Sequence, residues 1–158
     1  KVSFDVNYRS KLWQPCRAQE VLSTIIPGIH LLFIKERDLE LLWGRGGDAE
    51  EELRRLKGEF GIANIVLTQG RKGASALLGD QFESHAAFDG EAVSPIGAGD
   101  ALAAGVLYSL MEGEQELALK RGCAMASLAR ESRGDYVIGG KQALDARMQG
   151  EVSRGLCR

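Results

Sequence analysis

The sequence predicts an α/β fold, with a mostly parallel sheet covered by helices on both faces. Three observations carry this prediction. Short apolar runs of strand length alternate with helical stretches, several of those runs are apolar throughout, and two adjacent short strands add a small antiparallel hairpin. Because uninterrupted apolar runs are typical of strands buried on both sides, they favour a parallel sheet.

The first half of the chain alternates strands with helices. Pro27-Gly28 ends the first helix, and Asp48 with Glu51 three residues later is the pattern of an N-cap at the start of another. The predicted elements are a strand at 2–6, a helix at 16–26 behind Pro15, a strand at 29–34, a helix at 35–43, a helix at 48–60 and a strand at 62–68.

The second half begins with strands at 74–78 and 81–88, which are joined around Gly79-Asp80 as in a hairpin. Helices follow at 100–111, 114–132 and 141–149. The stretch 100–111 is almost wholly apolar, which predicts a buried helix. Such a helix is more often part of the core than of a site, and here we expect both, a buried helix whose N-terminus points at a ligand.

Composition and charge narrow the class of protein. The chain has 158 residues, enough for one domain, or for two if each is small. Its 20 Lys and Arg against 22 Asp and Glu leave a net charge of -2, which argues against binding to nucleic acid or to an anionic membrane surface. No apolar run is long enough to span a bilayer.

Three cysteines, Cys16, Cys123 and Cys157, are spread far apart with no C-x-x-C spacing. Only two histidines accompany them. The odd count and the spacing argue against a zinc site or a disulfide framework and predict reduced thiols in a cytoplasmic protein.

The segment 97–100 carries the chemistry. Gly97, Ala98 and Gly99 lack bulky side chains and lead directly into the apolar helix, so a ligand has close access to backbone N–H groups at a helix N-terminus. Such donors, together with the helix dipole, form an anion hole suited to a phosphate. Asp100 stands beside them, where a carboxylate accepts the proton of a hydroxyl that attacks phosphorus. The plainer interpretation is that small residues before a buried helix serve only packing.

In this order of motifs the sequence resembles the ribokinase-like (PfkB) carbohydrate kinases. Gly97-Ala98-Gly99-Asp100-Ala101 followed by Ala103-Ala104-Gly105 is similar to the family's C-terminal signature, 5–9 is similar to its D-x-N-x-R segment, and 66–74 is similar to its strand and turn at the ATP phosphates. Within the family, 7–13, Ile96 and 133–137 most resemble the 2-keto-3-deoxygluconate kinases. The resemblance implies a three-layer α/β/α fold with ATP and Mg²⁺ as cofactors.

The resemblance also implies roles for individual residues. Asp100 is the base that activates the sugar hydroxyl, and the backbone at 97–99 stabilises charge on the transferred group. Asn7 and Arg9 lie between nucleotide and substrate, Asp135 makes a second substrate contact, and 126–133 lies near the adenine. The ATP-binding residues implied in this way are Asn7, Arg9, Thr68, Gly70, Arg71, Gly73, Gly97, Ala98 and Gly99.

The sequence departs from the family pattern at two places. The family commonly has N-x-x-E at the start of the helix after the second strand, a segment linked to magnesium and phosphate effects, and here Lys35 and Asp38 stand at those positions. Asp38 is able to hold a metal-bound water. Lys35 carries a positive charge and cannot replace the neutral amide of an asparagine as a ligand. Ser94 stands where many relatives have Asp.

The resemblance covers most of this chain but only the C-terminal half of the family's fold. Residues 1–158 are therefore expected to be the nucleotide-binding and catalytic part of a ribokinase-like domain without its N-terminal half and lid. We expect ATP-dependent phosphoryl transfer to a hydroxyl of a sugar or sugar acid such as 2-keto-3-deoxygluconate, with a homo-oligomer as a possible assembly. The alternative is a truncated, non-catalytic nucleotide-binding fragment or assembly module. An oxidoreductase is disfavoured, because no G-x-G-x-x-G follows the first strand.

Overall fold

The fold was taken from a computed structural model that describes residues 1–134, 137 and 139–150. Its strands are β1 (Ser3–Asp5), β2 (Leu31–Lys35), β3 (Asn64–Thr68), β4 (Ala74–Leu78) and β5 (Gln81–His85). Its α-helices are α1 (Pro15–Ile25), α2 (Glu36–Trp43), α3 (Ala49–Phe60), α4 (Ala98–Glu112), α5 (Ala118–Glu131) and α6 (Gly140–Met148). Short 3₁₀ turns cover Ile26–Gly28, Gly70–Lys72 and Gln115–Leu117.

The five strands form one mixed sheet in the order β1-β2-β3-β4-β5. β1 pairs with β2 and β2 with β3 in parallel, and Lys35 at the end of β2 is in register with Thr68 at the end of β3. β3 and β4 are antiparallel, so that Thr68 faces Ala74. The predicted parallel sheet with an antiparallel addition is confirmed.

The chain divides into two compact units, and the first comprises Lys1–Gly70 and Ala74–Ser84. Its core joins α1, α2 and α3 to one face of the sheet. The core side chains include Ala18, Leu22, Leu32, Leu39, Leu53, Leu56 and Ile65. Leu31, Phe33 and Val66, which alternate with the core positions, are buried as well. Both faces of β2 and β3 are therefore covered, as their uninterrupted apolar sequences predict.

The second unit comprises Arg71–Gly73 and the residues from His85 onward. Here α4 and α5 cross with their backbones in contact. A Cβ atom on Gly105 would lie 2.8 Å from the carbonyl oxygen of Arg121, and a Cβ atom on Gly122 would lie 2.9 Å from Val106 Cγ2. Such a crossing requires glycine on both helices. α6 is joined to α5 by a partly buried ion pair, in which Nη2 of the buried Arg147 lies 2.6 Å from Glu131 Oε2.

The helix predicted at 114–132 begins later, at Ala118. Glu114 is engaged in ending the preceding helix, because its backbone N–H donates to the carbonyl oxygen of Ser109 at 2.8 Å. Its carboxylate also accepts a hydrogen bond from Arg121 Nη1 at 2.7 Å. These contacts form the type of helix end in which a residue beyond the terminal glycine, here Gly113, closes back onto the last turn.

The strand predicted at 81–88 ends at His85. A Cβ atom on Gly73 would lie 2.0 Å from the carbonyl oxygen of His85, so the backbone passes Gly73 closely and leaves the sheet there. The ring of Phe88 packs against that of His85 with centroids 4.9 Å apart and lies on the α5–α6 core instead of continuing the strand.

The predicted burial of the apolar helix holds for only one face of α4. Leu102, Val106 and Ser109 are buried on one face, but Tyr108 is 44% exposed and Met111 is 83% exposed on another. Within the described part of the chain, no helix is both long and apolar enough to cross a membrane.

Candidate active site

In the first unit, three residues of interest meet at the carboxyl ends of β1, β2 and β3. Asn7 follows β1 in a left-handed conformation, with φ of 39°, and its backbone N–H donates to Asp5 Oδ1 at 2.9 Å. The Asn7 side-chain oxygen accepts a hydrogen bond from Lys35 Nζ at 3.1 Å, and Lys35 is in register with Thr68. Ligands of open α/β sheets bind at such carboxyl ends.

The turn after β3 is fixed by its middle residue. Gln69 Nε2 donates to Glu36 Oε1 at 3.0 Å, and Ser75 Oγ donates to Gln69 Oε1 at 2.9 Å. The amide of Gln69 therefore ties the end of β3 to the first turn of α2 and to β4. Thr68 and Gly70 on either side of Gln69 are held in place, with Gly70 exposed at φ of 62°.

Arg9 lies on the exposed segment that follows Asn7. Its carbonyl oxygen accepts the N–H of Leu12 at 2.9 Å, which forms a turn. Its guanidinium is exposed and forms no hydrogen bond or ion pair with the residues that the structure describes. The five donors of this guanidinium are thus available to a carboxylate or a phosphate.

In the second unit, the N-terminus of α4 is open. Gly97 is the N-cap, with φ of 79°, and it has no side chain with which to cap the first amides. Asp100 lies in the first turn with an exposed carboxylate, which makes no hydrogen bond or ion pair to any described residue. Exposed amide donors and an unengaged carboxylate therefore stand next to each other at one helix end.

The fold accounts for one of the two glycines in this segment and not for the other. Gly97 has a left-handed φ that favours glycine. Gly99 has no such φ, and a Cβ atom built on it would meet no atom of the described residues within 4 Å. Packing within the described chain does not explain glycine at position 99, so the plainer interpretation of this segment fails there.

The segment that leads into α4 is anchored to the last turn of α5. The N–H groups of Val93 and Ser94 both donate to the carbonyl oxygen of Arg130, at 2.8 and 3.0 Å. Arg130 Nη2 in turn donates to the carbonyl oxygen of Phe88 at 3.1 Å. Ser94 Oγ accepts the N–H of Ile96 at 3.2 Å. These hydrogen bonds fix the position of the chain segment that leads to Gly97.

A groove of about 420 Å³ runs along the exposed face of α4, between that helix, α5 and α6. Its lining is mainly apolar and includes Ala104, Gly105, Tyr108, Met125, Lys141 and Leu144. Since an α-helix rises about 1.5 Å per residue, Ala104 stands about 7.5 Å along the axis from Gly99. One helix thus carries both an open N-terminus and an apolar groove.

The remaining predicted residues are placed as follows. Arg71 is exposed in the turn Gly70–Lys72. Gly73 is buried against the backbone of His85, and this close approach alone accounts for the glycine. Its assignment to the nucleotide phosphates stays a prediction. Asp135 lies outside the described residues.

The structure brings Asn7 and Thr68 to one sheet edge, and it places 97–100 together at the start of α4. Neither the contact of Lys35 with Asn7 nor the bridging role of Gln69 was predicted from the sequence. A usable signal was present, because parallel strands end at the same edge and polar residues stand at or just beyond the three strand ends: Asn7 one residue past β1, Lys35 at the end of β2 and Gln69 after β3.

Comparison with known proteins gives a consistent result. The model of the pfkB family carbohydrate kinases matches residues 1–138. The 2-dehydro-3-deoxygalactonokinase of Haloferax volcanii is 36% identical over 137 residues, which are 86% of this chain and 43% of that protein.

Solved structures agree on the fold. The 2-dehydro-3-deoxygluconokinase of Thermotoga maritima matches with a TM-score of 0.81 at 19% identity, over 94% of this chain and 50% of that one. A fructokinase from Vibrio cholerae O395, solved with fructose, ADP and a calcium ion, matches with a TM-score of 0.78 at 25% identity, over 91% of this chain and 49% of that one. The predicted ribokinase-like α/β fold is confirmed.

The chain spans about half the length of these proteins. The match nevertheless covers the motifs at 5–9, 66–74 and 97–105 in a single run, so that the predicted resemblance rests on the whole pattern. The chain belongs to the PfkB family of carbohydrate kinases.

Proposed function

We propose that this chain is the nucleotide-binding and catalytic part of a kinase that transfers the γ-phosphoryl group of ATP to a hydroxyl of a sugar acid of the 2-keto-3-deoxygluconate class. The observation that carries the proposal is the open N-terminus of α4, where uncapped amides adjoin an exposed Asp100 that bonds no described residue.

The proposed reaction follows from this arrangement. A carboxylate oxygen of Asp100 accepts the proton of the sugar hydroxyl, the hydroxyl oxygen forms a bond to the γ-phosphorus, and the bond from that phosphorus to the β,γ-bridging oxygen breaks to release ADP. The backbone N–H groups at 97–99 stabilise the charge on the transferred group. Fixed donors of this kind contribute about 3 kcal/mol each to lowering such barriers.

The nucleotide is proposed to use both the helix end and the apolar groove. Phosphates favour the amides and the dipole at the start of α4. The adenine suits the groove lined by Ala104, Tyr108 and Met125, since base rings bind apolar and aromatic surfaces. In this proposal the base lies beside Met125 of α5, and the nearness of 126–133 to it stays a prediction. Thr68, Gly70, Arg71 and Gly73 are assigned to the phosphates by family resemblance.

Mg²⁺ is proposed to arrive with the nucleotide. No three His, Cys, Asp or Glu side chains cluster as a metal site among the described residues. Kinases commonly hold Mg²⁺ through substrate phosphates and one or two carboxylates. Asp38 fits such a part, since its side chain is fully buried and neither carboxylate oxygen accepts a hydrogen bond within the described chain. Bound Mg²⁺ supplies positive charge that neutralises the phosphates.

The acceptor class follows from relatives and from Arg9. The Haloferax and Thermotoga proteins are named for sugar acids. The guanidinium of Arg9 is exposed and unengaged among the described residues, and it suits the carboxylate of such an acid because its fork donates two bonds at once. Asn7, next to Arg9, is proposed to contact both ligands. Asp135 remains a second candidate for the acceptor.

The test combines calorimetric titration with MgATP and a coupled assay that detects ADP in the presence of 2-keto-3-deoxygluconate. ATP binding together with ADP release that depends on the sugar acid supports the kinase. Binding without turnover supports the alternative, a non-catalytic nucleotide-binding fragment. The observation that favours this alternative is that the match covers only 43% of the Haloferax relative. Absence of ATP binding contradicts both.

A further inference from the structure

Lys35 occupies the middle of the sheet edge at which the proposed nucleotide residues of the first unit lie. It ends β2, its ammonium donates to Asn7 Oδ1 at 3.1 Å, and it is in register with Thr68. The two residues beside it are both assigned to ATP in the proposed function. Lys35 itself carries no assignment there.

The local fold does not explain a lysine at this position. Lys35 is the N-cap of α2, and its side chain makes no capping bond. A cation at a helix N-terminus lies near the positive end of the helix dipole, which is unfavourable, whereas the Asn, Ser or Asp that helices prefer there would cap it.

The ammonium of Lys35 also lacks a carboxylate partner within the described chain. Its hydrogen bond goes to a neutral amide oxygen, which leaves donors of its three N–H bonds available. The acidic residues of the first turn of α2 are otherwise placed, since Glu36 accepts from Gln69 and Asp38 is fully buried. The Lys35 ammonium is therefore oriented by a solvent-exposed hydrogen bond to Asn7 at a ligand-binding edge, and no described carboxylate neutralises it there.

We propose that Lys35 binds a phosphate oxygen of the nucleotide, so that this kinase carries a fixed positive charge at the polyphosphate from its own β2 strand. This inference rests on the proposed function, because it takes ATP as the ligand. Asn7 then has two tasks, since it contacts the ligand and orients the Lys35 ammonium toward it. The charge on Lys35 acts together with Mg²⁺ to offset the negative charge of the triphosphate.

The experiment measures dissociation constants of ATP, ADP, AMP and inorganic tripolyphosphate, and the KM for 2-keto-3-deoxygluconate in the coupled assay, for the wild type, for Lys35→Gln and for Lys35→Arg. Loss of a charge-assisted hydrogen bond predicts that Lys35→Gln binds ATP and tripolyphosphate about tenfold more weakly. AMP affinity is expected to change little, and Lys35→Arg is expected to recover most of the affinity for ATP.

The matched control is Lys57→Gln, which removes the same charge elsewhere in the first unit. Lys57 binds the carbonyl oxygen of Gly79, whose own N–H donates to Asn64 at the beginning of β3, so it lies at the opposite end of that strand. It is expected to leave ATP affinity unchanged. Thermal melting followed by circular dichroism confirms that each variant is folded, and Lys35→Arg provides a second charged variant if Lys35→Gln melts early.

The outcomes separate the two proposals. If the wild type binds ATP and Lys35→Gln binds it equally well, the role of Lys35 is wrong while the proposed function stands. If Lys35→Gln raises KM for the sugar acid alone, the ammonium contacts the acceptor carboxylate and the assignment to the nucleotide is wrong. If the wild type neither binds nor uses ATP, the proposed function fails first and the role of Lys35 falls with it.

Discussion

A Cβ atom on Gly105 would lie 2.8 Å from the carbonyl oxygen of Arg121, so that α4 and α5 cross at backbone contact. Arg121 is held at this crossing by its own side chain, since its Nη1 donates to Ser109 Oγ at 2.8 Å and to Glu114 Oε2 at 2.7 Å. The crossing fixes the axis of α4. It therefore determines where the open N-terminus of that helix points and places Asp100 at its end.

The first prediction concerns this crossing. Gly105→Ala is expected to lower the free energy of unfolding by about 1–3 kcal/mol, because a methyl group in a filled contact forces the two backbones apart. Helix propensity alone would favour alanine by up to about 1 kcal/mol. Gly58→Ala in α3 isolates the contribution of helix propensity, since a Cβ atom at position 58 meets no described atom within 4 Å. This variant is expected to raise the free energy of unfolding. Chemical denaturation measures the free energy of unfolding of both variants. Equal changes in the two would contradict a close backbone contact at Gly105.

The second prediction concerns Gly99, for which a role in ligand binding can be separated from a role in folding. Gly99→Ala is expected to leave the melting temperature unchanged or slightly raised, because position 99 has open space and no left-handed φ. The same change is expected to weaken ATP binding about tenfold, since a methyl group would stand where the phosphate approaches the backbone. Calorimetry measures the affinity for ATP, and thermal melting measures the stability. Unaltered ATP affinity would remove Gly99 from the proposed anion hole.

The third prediction concerns the ion pair that joins α6 to α5. Arg147 is almost fully buried and donates to both carboxylate oxygens of Glu131. Glu131→Gln is expected to cost about 3 kcal/mol of unfolding free energy, because it removes the negative charge that accepts two hydrogen bonds from the buried Arg147 guanidinium. The double variant with Arg147→Met is expected to recover part of that loss. A double-mutant cycle measures the coupling, and additive losses would show that the pair is not coupled.

The fourth prediction is a pH dependence. A hydrogen bond from Lys57 and then its charge hold the pKa of Asp80 below its ordinary value of 3.8. A lowered carboxyl pKa stabilises the fold above about pH 4 and loses that contribution as the pH falls through the folded-state pKa. Asp80→Asn should therefore melt lower than the wild type at pH 7, and the difference in melting temperature should shrink as the pH falls below 3.8. A difference that does not shrink with falling pH would assign the effect to packing.

The order of the elements and the mixed sheet could be predicted from the sequence, because apolar period and turn residues are local signals. The Asp48 cap is an example, since its side chain accepts the N–H of Glu51 at 3.0 Å as its spacing predicts. The beginning of α5 could not be predicted, because Glu114 is held by tertiary contacts to Ser109 and Arg121 that no local pattern contains.

The candidate site was predictable in parts. The motif at 97–100 predicted a helix N-terminus with accessible amides, and the structure has Gly97 there as an N-cap without a side-chain cap, followed by the exposed Asp100. The sequence alone treated Gly73 and Gly99 alike, and only the surroundings of each distinguish a glycine required by His85 from one that packing does not require. The bond between Lys35 and Asn7 joins two strands, so it depends on register that the sequence does not display.

The central claim is that Asp100 is the base beside an anion hole. Its most direct test compares Asp100→Asn with the wild type in one experiment that measures both the dissociation constant of MgATP and turnover with 2-keto-3-deoxygluconate. Glu112→Gln, about 18 Å away along α4, is the matched control for loss of a carboxylate.

The account predicts that Asp100→Asn binds MgATP as the wild type does and loses turnover by at least about a hundredfold, as removal of a general base does, while Glu112→Gln keeps both. Turnover within a fewfold of the wild type in Asp100→Asn would contradict it.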